Sequence, residues 1–305
     1  MRLGVTPWDP DRLDAGGLTA QAQSAEAWGY DSFWLPESHF APQALPDPLM
    51  LLAAVAAGTR RIRLATTSYL LTLRHPLQAA EQVAVLDQLS AGRVLLGVGR
   101  GYAPAVLRAF DVEPREKRAL FASRLARMID AWSGAPVAGT PEGEAVRLAP
   151  LPVQQPHPPV WVAAFGPKAQ VQAGHLGLAY LASPVEPLDV LAANLARHAA
   201  ALREAGHEPP AAVPAMRSLL VTESARETMA LRRALARQAR ERGAPAPEHA
   251  VEAWSIVGEA GYVRERVAEY RERLGLTHLI VARLRLPGLD PARVERSVRR
   301  AAELL

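Results

Sequence analysis

Residues able to do chemistry recur just after short apolar runs. Leu3–Thr6 leads to Trp8, and Ser32–Leu35 leads to Glu37, His39 and Phe40. Ile62–Thr67 leads to Ser68 and Tyr69, then to Arg74 and His75. Val94–Val98 runs into Gly99-Arg100-Gly101-Tyr102, and Val160–Ala164 into Phe165-Gly166-Pro167-Lys168. Glycines around Arg100 let the backbone approach a flat or anionic ligand closely. A guanidinium offers phosphate a bidentate fork and stays charged; the competing reading of Arg100 is a salt bridge to a nearby acid. The stretch is not a dinucleotide fingerprint, because Tyr102 stands where G-x-G-x-x-G needs glycine. Gly166-Pro167-Lys168 reads as a helix start, whose free N–H groups and lysine favour an anion. His39 beside Glu37 suits acid–base work near neutral pH, or a structural hydrogen bond. His39 and His75 are too few and too poorly spaced for a metal site. No G-x-S-x-G, H-E-x-x-H or P-loop is present.

The elements needed to position these residues are legible as an alternation. Candidate strands are Leu3–Thr6, Ser32–Leu35, Ile62–Thr67, Val94–Val98, Val160–Ala164, Leu178–Ala182, Ala215–Val221 and His278–Ala282. With amphipathic stretches between them, they predict a (β/α)8 TIM barrel over residues 1–305, a single domain whose site lies at the C-terminal strand ends. Predicted helices are Thr19–Trp28, one opened by Asp47-Pro48, Gln78–Leu89, Glu116–Trp132 and one opened by Asp290-Pro291. Ser133–Pro159, rich in proline, reads as an extended insertion after the fourth strand's helix and as a candidate lid. Ala244–Val257 reads as a second irregular stretch.

Composition excludes several function classes. The 305 residues are 49% hydrophobic and 22% charged, which supports a packed core rather than a disordered chain. With no cysteine, thiolate nucleophiles and Cys-ligated metals are ruled out. The net charge of +4 comes with arginines interspersed among glutamates, as in Arg264-Glu265-Arg266, the pattern of a solvated helix face. No nucleic-acid partner is expected. No apolar run approaches the ~18 residues of a membrane span, and the N-terminus lacks a signal peptide's apolar stretch, so the expectation is a cytoplasmic protein.

Several segments together resemble one family. They are Glu26-Ala27-Trp28-Gly29-Tyr30-Asp31-Ser32-Phe33-Trp34, Pro36-Glu37-Ser38-His39-Phe40, Thr59-Arg60-Arg61-Ile62-Arg63-Leu64, His75-Pro76 leading to Ala80-Glu81, and Leu86-Asp87-Gln88-Leu89-Ser90-Ala91-Gly92-Arg93 leading to Gly97–Tyr102. The chain resembles the bacterial luciferase-like monooxygenases, (β/α)8 barrels that use reduced flavin or the deazaflavin F420, and looks more like the FMN branch. The resemblance implies a non-prolyl cis peptide at Thr67-Ser68 against the flavin ring, and flavin phosphate at Arg100 with Gly101 and Tyr102 beside it. It implies a second phosphate turn at Ala164, Phe165, Gly166 and Lys168. His39 would be the acid–base residue, with Trp8, Phe40 and Tyr69 as pocket wall. It further implies O2 and a small organic substrate, a separate flavin reductase supplying reduced FMN, and a homodimer. Two departures stand out. Luminous members carry two adjacent histidines where this chain has Ser38-His39, which argues against light emission. A family serine is matched by Phe165, for which Lys168 would compensate. The rivals are an F420-dependent hydride-transfer enzyme and a non-catalytic flavin-binding barrel; a barrel hydrolase would need a metal or nucleophile that the sequence does not offer.

Overall fold

The computed structural model describes residues 1–139, 143–164, 166–241 and 251–305. The expected cofactor residue Phe165, Pro141 of the insertion and positions 244–250 of the second irregular stretch lie outside the described residues.

The strands are β1 (Arg2–Val5), β2 (Ser32–Leu35), β3 (Arg63–Thr66), β4 (Tyr69–Leu70), β5 (Val94–Gly99), β6 (Ala138–Gly139), β7 (Ala145–Val146), β8 (Val160–Ala163), β9 (Ala179–Leu181), β10 (Pro214–Val221), β11 (Ser255–Gly258) and β12 (His278–Ala282). The helices are α1 (Ala15–Ala27), α2 (Pro48–Gly58), α3 (Pro76–Leu89), α4 (Pro104–Ala109), α5 (Lys117–Trp132), α6 (Pro167–His175), α7 (Leu188–Glu204), α8 (Ala225–Glu241), α9 (Val251–Trp254), α10 (Ala260–Leu274) and α11 (Pro291–Leu304). All eight expected strands form. The sequence reading overlooked β11: Ser255–Gly258 carries only two strongly apolar residues, Ile256 and Val257, and follows the short helix α9 directly. It therefore corrects part of the stretch expected to be irregular.

The chain divides into two compact units, one of Met1–Leu13, Gln21–Trp34 and Ala164–Leu305, the other of Asp14–Ala20 and Leu35–Ala163. In the first unit the strands are parallel. β1 lies between β2 and β12, with Val5 opposite Phe33 and Val281. β10 pairs with β12 along its first half and with β11 along its second, and Ala182 just after β9 bridges to Ala215. Gly4 has to be glycine: a Cβ there would stand 2.4 Å from the indole nitrogen of Trp34, which donates to Ser32 Oγ at 2.8 Å. Asp290 caps α11 through Ala292 N at 3.0 Å, as the Asp-Pro pair predicts.

The second unit holds β3, β5 and β8 side by side and parallel, with β4 joined to the last two residues of β5. Every residue of β5 is buried, which is why it reads as one apolar run. Asp47 caps α2 through Met50 N at 3.2 Å. Trp132 at the end of α5 is fully buried and donates from its indole nitrogen to Ala80 O of α3 at 3.0 Å.

The insertion begins with an exposed antiparallel hairpin, β6 with β7. Its proline-rich remainder is fastened at the wrong end for a lid. Gln154 Nε2 donates to Asp87 Oδ1 and to Val94 O, both at 2.8 Å, and Arg63 donates to Gln154 Oε1 at 3.1 Å. Arg63 and Val94 are the first residues of β3 and β5, so this segment closes the N-terminal strand ends of its unit. The lid expectation fails for Leu151–Gln155 because Asp87, a fully buried carboxylate, holds it there.

Candidate active site

In the second unit, β3 ends at Thr66 and the chain passes through a cis peptide at Thr67-Ser68 before resuming as β4. Leu70 of β4 lies opposite Gly99 of β5. Gly99 makes room for the Ser68 side chain: an added Cβ would stand 2.1 Å from Ser68 Oγ and 2.9 Å from Ser68 Cβ. A tight turn, Leu71–Leu73, follows β4, and Thr72 Oγ1 donates to Arg100 O at 2.8 Å. Gly101 turns with a φ of 70° and receives Lys117 Nζ on its carbonyl at 3.3 Å.

This loop gathers positive charge. Burial, then the nearby Arg118, pull the Arg100 guanidinium below its ordinary value. Burial, then Arg100 and Arg118, pull the Lys117 ammonium down in the same way. Arg124 donates to Thr72 O at 2.5 Å, and burial lowers it as well. Arg118 weighs on Arg100, and both weigh on Lys117; an anion such as a phosphate group, with the matching charge and acceptors, would offset that repulsion. Lys117 and Arg118 escaped the sequence reading. The signal was present: basic residues open α5, where the helix dipole favours acidic ones.

Glu37 is the second centre. Its side chain is fully buried, and Oε1 accepts from Arg74 Nη1 at 2.7 Å and from His39 Nε2 at 2.8 Å. Oε2 accepts from Leu70 N at 2.8 Å, which ties the loop after β2 to β4. An ionised carboxylate only accepts, so Nε2 of His39 carries a proton and a neutral ring has its lone pair on Nδ1. Arg74 lies over the Tyr69 ring at 4.2 Å and also donates to Leu70 O at 3.2 Å.

The expected residues fall into distinct groups. Thr67, Ser68, Arg100 and Gly101 meet on one loop cluster, and His39 joins it through Glu37 and Leu70. Phe40 is 74% exposed and Tyr102 90% exposed, so each has most of its ring in the open. Tyr69 is fully buried with its hydroxyl on Gln82 Oε1 at 3.1 Å, and burial pushes its phenol well above the ordinary value. It braces the core and offers a substrate no surface. Trp8, Ala164, Gly166 and Lys168 belong to the first unit. Trp8 is 3% exposed and packs on Trp28, so it too has little surface for a substrate. Gly166 precedes α6 with a φ of 80°, a conformation glycine supplies, and Lys168 is exposed in the first turn. Among the described residues no group of three histidines or carboxylates could hold a metal, and no helix is long and apolar enough to cross a membrane.

A parallel α/β fold with its chemistry-bearing residues at the C-terminal strand ends defines a class. The sequence matches the profile of one family, described as "Luciferase-like monooxygenase", over residues 5–278, and the chain belongs to that family. The structure superposes on a monooxygenase from Streptomyces bottropensis with a TM-score of 0.84 and 26% identity, covering 100% of this chain and 98% of that one. It shares its fold with the oxygenating constituent of 3,6-diketocamphane monooxygenase from Pseudomonas putida, solved with FMN, at a TM-score of 0.81 and 21% identity, covering 100% and 97% of the two chains. An F420-dependent glucose-6-phosphate dehydrogenase of Kineococcus radiotolerans is 35% identical over 198 residues, which are 61% of this chain and 57% of that protein. The chain spans about half the length of the curated relatives it matches.

Proposed function

We propose that this protein is a flavin-dependent monooxygenase that takes reduced FMN as cosubstrate and uses O2 to oxygenate a small organic substrate. The observation that carries this reading is the cluster of Arg100, Lys117 and Arg118 beside the Thr67-Ser68 bulge, with Gly99 leaving room for Ser68. The residues fit the cofactor. The cations suit its phosphate, and the bulge suits the edge of its ring system. Arg100 and Gly101 would hold the phosphate, with Lys117 behind them, and Thr67 and Ser68 would meet the ring. Tyr102 would close over it, and Ala164, Gly166 and Lys168 would supply a second phosphate turn, with Phe165 in the position of the family serine.

When bound, reduced FMN supplies the electrons that activate dioxygen. His39 is the acid–base residue, its Nδ1 presented to the substrate because Glu37 holds Nε2. Arg74 and the Leu70 amide hold Glu37 in turn. Phe40 would stand beside the histidine, their ring centroids 5.7 Å apart. The reading includes a single (β/α)8-barrel domain, a homodimeric cytoplasmic protein and a separate flavin reductase as the source of reduced FMN. The second reading, F420-dependent hydride transfer, draws on the Kineococcus relative. Anaerobic titration with reduced FMN and reduced F420 separates them. The monooxygenase reading expects FMN to bind at least about tenfold more tightly, a difference of ~1.4 kcal/mol. The reverse order establishes the hydride-transfer reading, and binding of neither sinks both.

A further inference from the structure

Three rings of the second unit form a platform that the core does not use. Phe110, just after α4, meets His39 edge-on with ring centroids 4.9 Å apart and planes at 63°. Phe40 stacks on Phe110 at 5.8 Å and 27°, and lies 5.7 Å from His39. Phe110 is 37% exposed and Phe40 74% exposed, whereas the His39 side chain is only 6% exposed. Phe40 is held there by a backbone φ of 59°, a region that a bulky side chain rarely adopts. Residues in this region cluster at ligand clamps and active sites, and this one displays an aromatic ring beside an oriented histidine. The buried Glu37 fixes the chemistry at the platform's edge: Nε2 is occupied, and Nδ1 makes no hydrogen bond among the described residues.

We propose that His39, Phe40 and Phe110 form the substrate platform, and that it takes a flat hydroxylated aromatic ring. The ring stacks on the phenyl groups, and its hydroxyl donates to His39 Nδ1. A saturated chain could cover the same area, but it would not satisfy the stacking geometry or the acceptor nitrogen. This inference rests on the flavin-enzyme reading and names the substrate class of that site.

The test uses naphthol as probe, followed by its own fluorescence, with the full-length protein and its Phe110→Ala, Phe110→Leu and Phe110→Tyr variants. FMN affinity is measured in parallel. The expected result is a three- to tenfold weaker naphthol affinity in Phe110→Ala and Phe110→Leu, restoration in Phe110→Tyr, and unchanged FMN affinity. Naphthol should also bind more tightly than its methyl ether, which cannot donate to Nδ1, and than decanol. Circular dichroism identifies a variant that fails to fold, and the leucine variant keeps the comparison informative. Naphthol affinity indifferent to both truncations overturns the platform. So does a loss of FMN affinity alone, which would assign the rings to the flavin, and so does a change of oligomeric state alone, which would assign them to an interface. If wild-type protein binds naphthol in the expected pattern but binds neither FMN nor F420, the platform stands and the flavin reading falls.

Discussion

Glu37→Gln is the substitution whose consequence the structure fixes most closely. The carboxylate accepts from three donors, Arg74 Nη1, His39 Nε2 and Leu70 N, at 2.7–2.8 Å, with the Glu37 side chain fully buried and Arg74 17% exposed. A glutamine of the same shape offers one acceptor oxygen and, in place of the other, an NH2 group that only donates. If its oxygen faces Arg74 and His39, its NH2 group confronts the Leu70 amide. If it is flipped, its NH2 group confronts the guanidinium. Either way a buried donor loses its partner and Arg74 loses its counter-charge. Breaking a buried ion pair by neutralising one member destabilises by about 3–5 kcal/mol. For 305 residues, an unfolding entropy of about 2.1 cal/mol/K per residue sums to about 0.64 kcal/mol/K, so the melting midpoint should fall by about 5–8 °C. Thermal unfolding followed by circular dichroism measures this directly. A midpoint within about 1 °C of wild type would refute the reasoning, because the three donors would then be satisfied some other way.

Two further outcomes follow from single contacts. Gly99→Ala drives a Cβ to 2.1 Å from Ser68 Oγ and 2.9 Å from Ser68 Cβ; the overpacking should destabilise by about 1–3 kcal/mol and weaken FMN binding, and urea unfolding with the wild-type midpoint would contradict it. His198 Nε2 donates to Leu178 O at 2.8 Å and so carries the proton; burial lowers the His198 pKa below the ordinary histidine value, against the opposing effect of that bond. The unfolded chain then binds more protons than the folded one just below the ordinary histidine pKa, so this contribution is present above that value and is lost as pH falls. Urea unfolding between about pH 5 and about pH 7 should show a shallower pH dependence in His198→Gln than in wild type. Equal slopes would remove His198 from the account.

Fold and site were legible to different depths. β2 and β12 carry the bounds read from the sequence, because buried parallel strands are uninterrupted apolar runs. Asp47 and Asp290 revealed two helix starts for a local reason, a carboxylate capping an amide two or three residues on. β11 stayed hidden because its pairing with β10, not its composition, makes it a strand. At the site, Arg100, Glu37 and His39 stood out by residue type and position after a strand. Phe110, Lys117 and Arg118 did not, since tertiary packing alone brings them to those loops. Tyr69 and Trp8 misled in the other direction: aromatic residues after strands suggest a pocket wall, yet both are buried and bonded or stacked within the core. The proline-rich insertion misled for a similar reason, because one glutamine, Gln154, fastens it to the far strand ends.

The central claim is that the cations around Arg100 hold a flavin phosphate. The direct measurement is anaerobic calorimetric titration with reduced FMN and with reduced riboflavin, which is the same ring system without the phosphate, on wild type and Arg100→Met. A charge-assisted phosphate contact contributes about 1.5–3 kcal/mol, so wild type should prefer FMN by about tenfold or more and Arg100→Met should shrink that preference to a few-fold. Equal affinity of wild type for FMN and riboflavin, or an undiminished preference in Arg100→Met, would contradict the account.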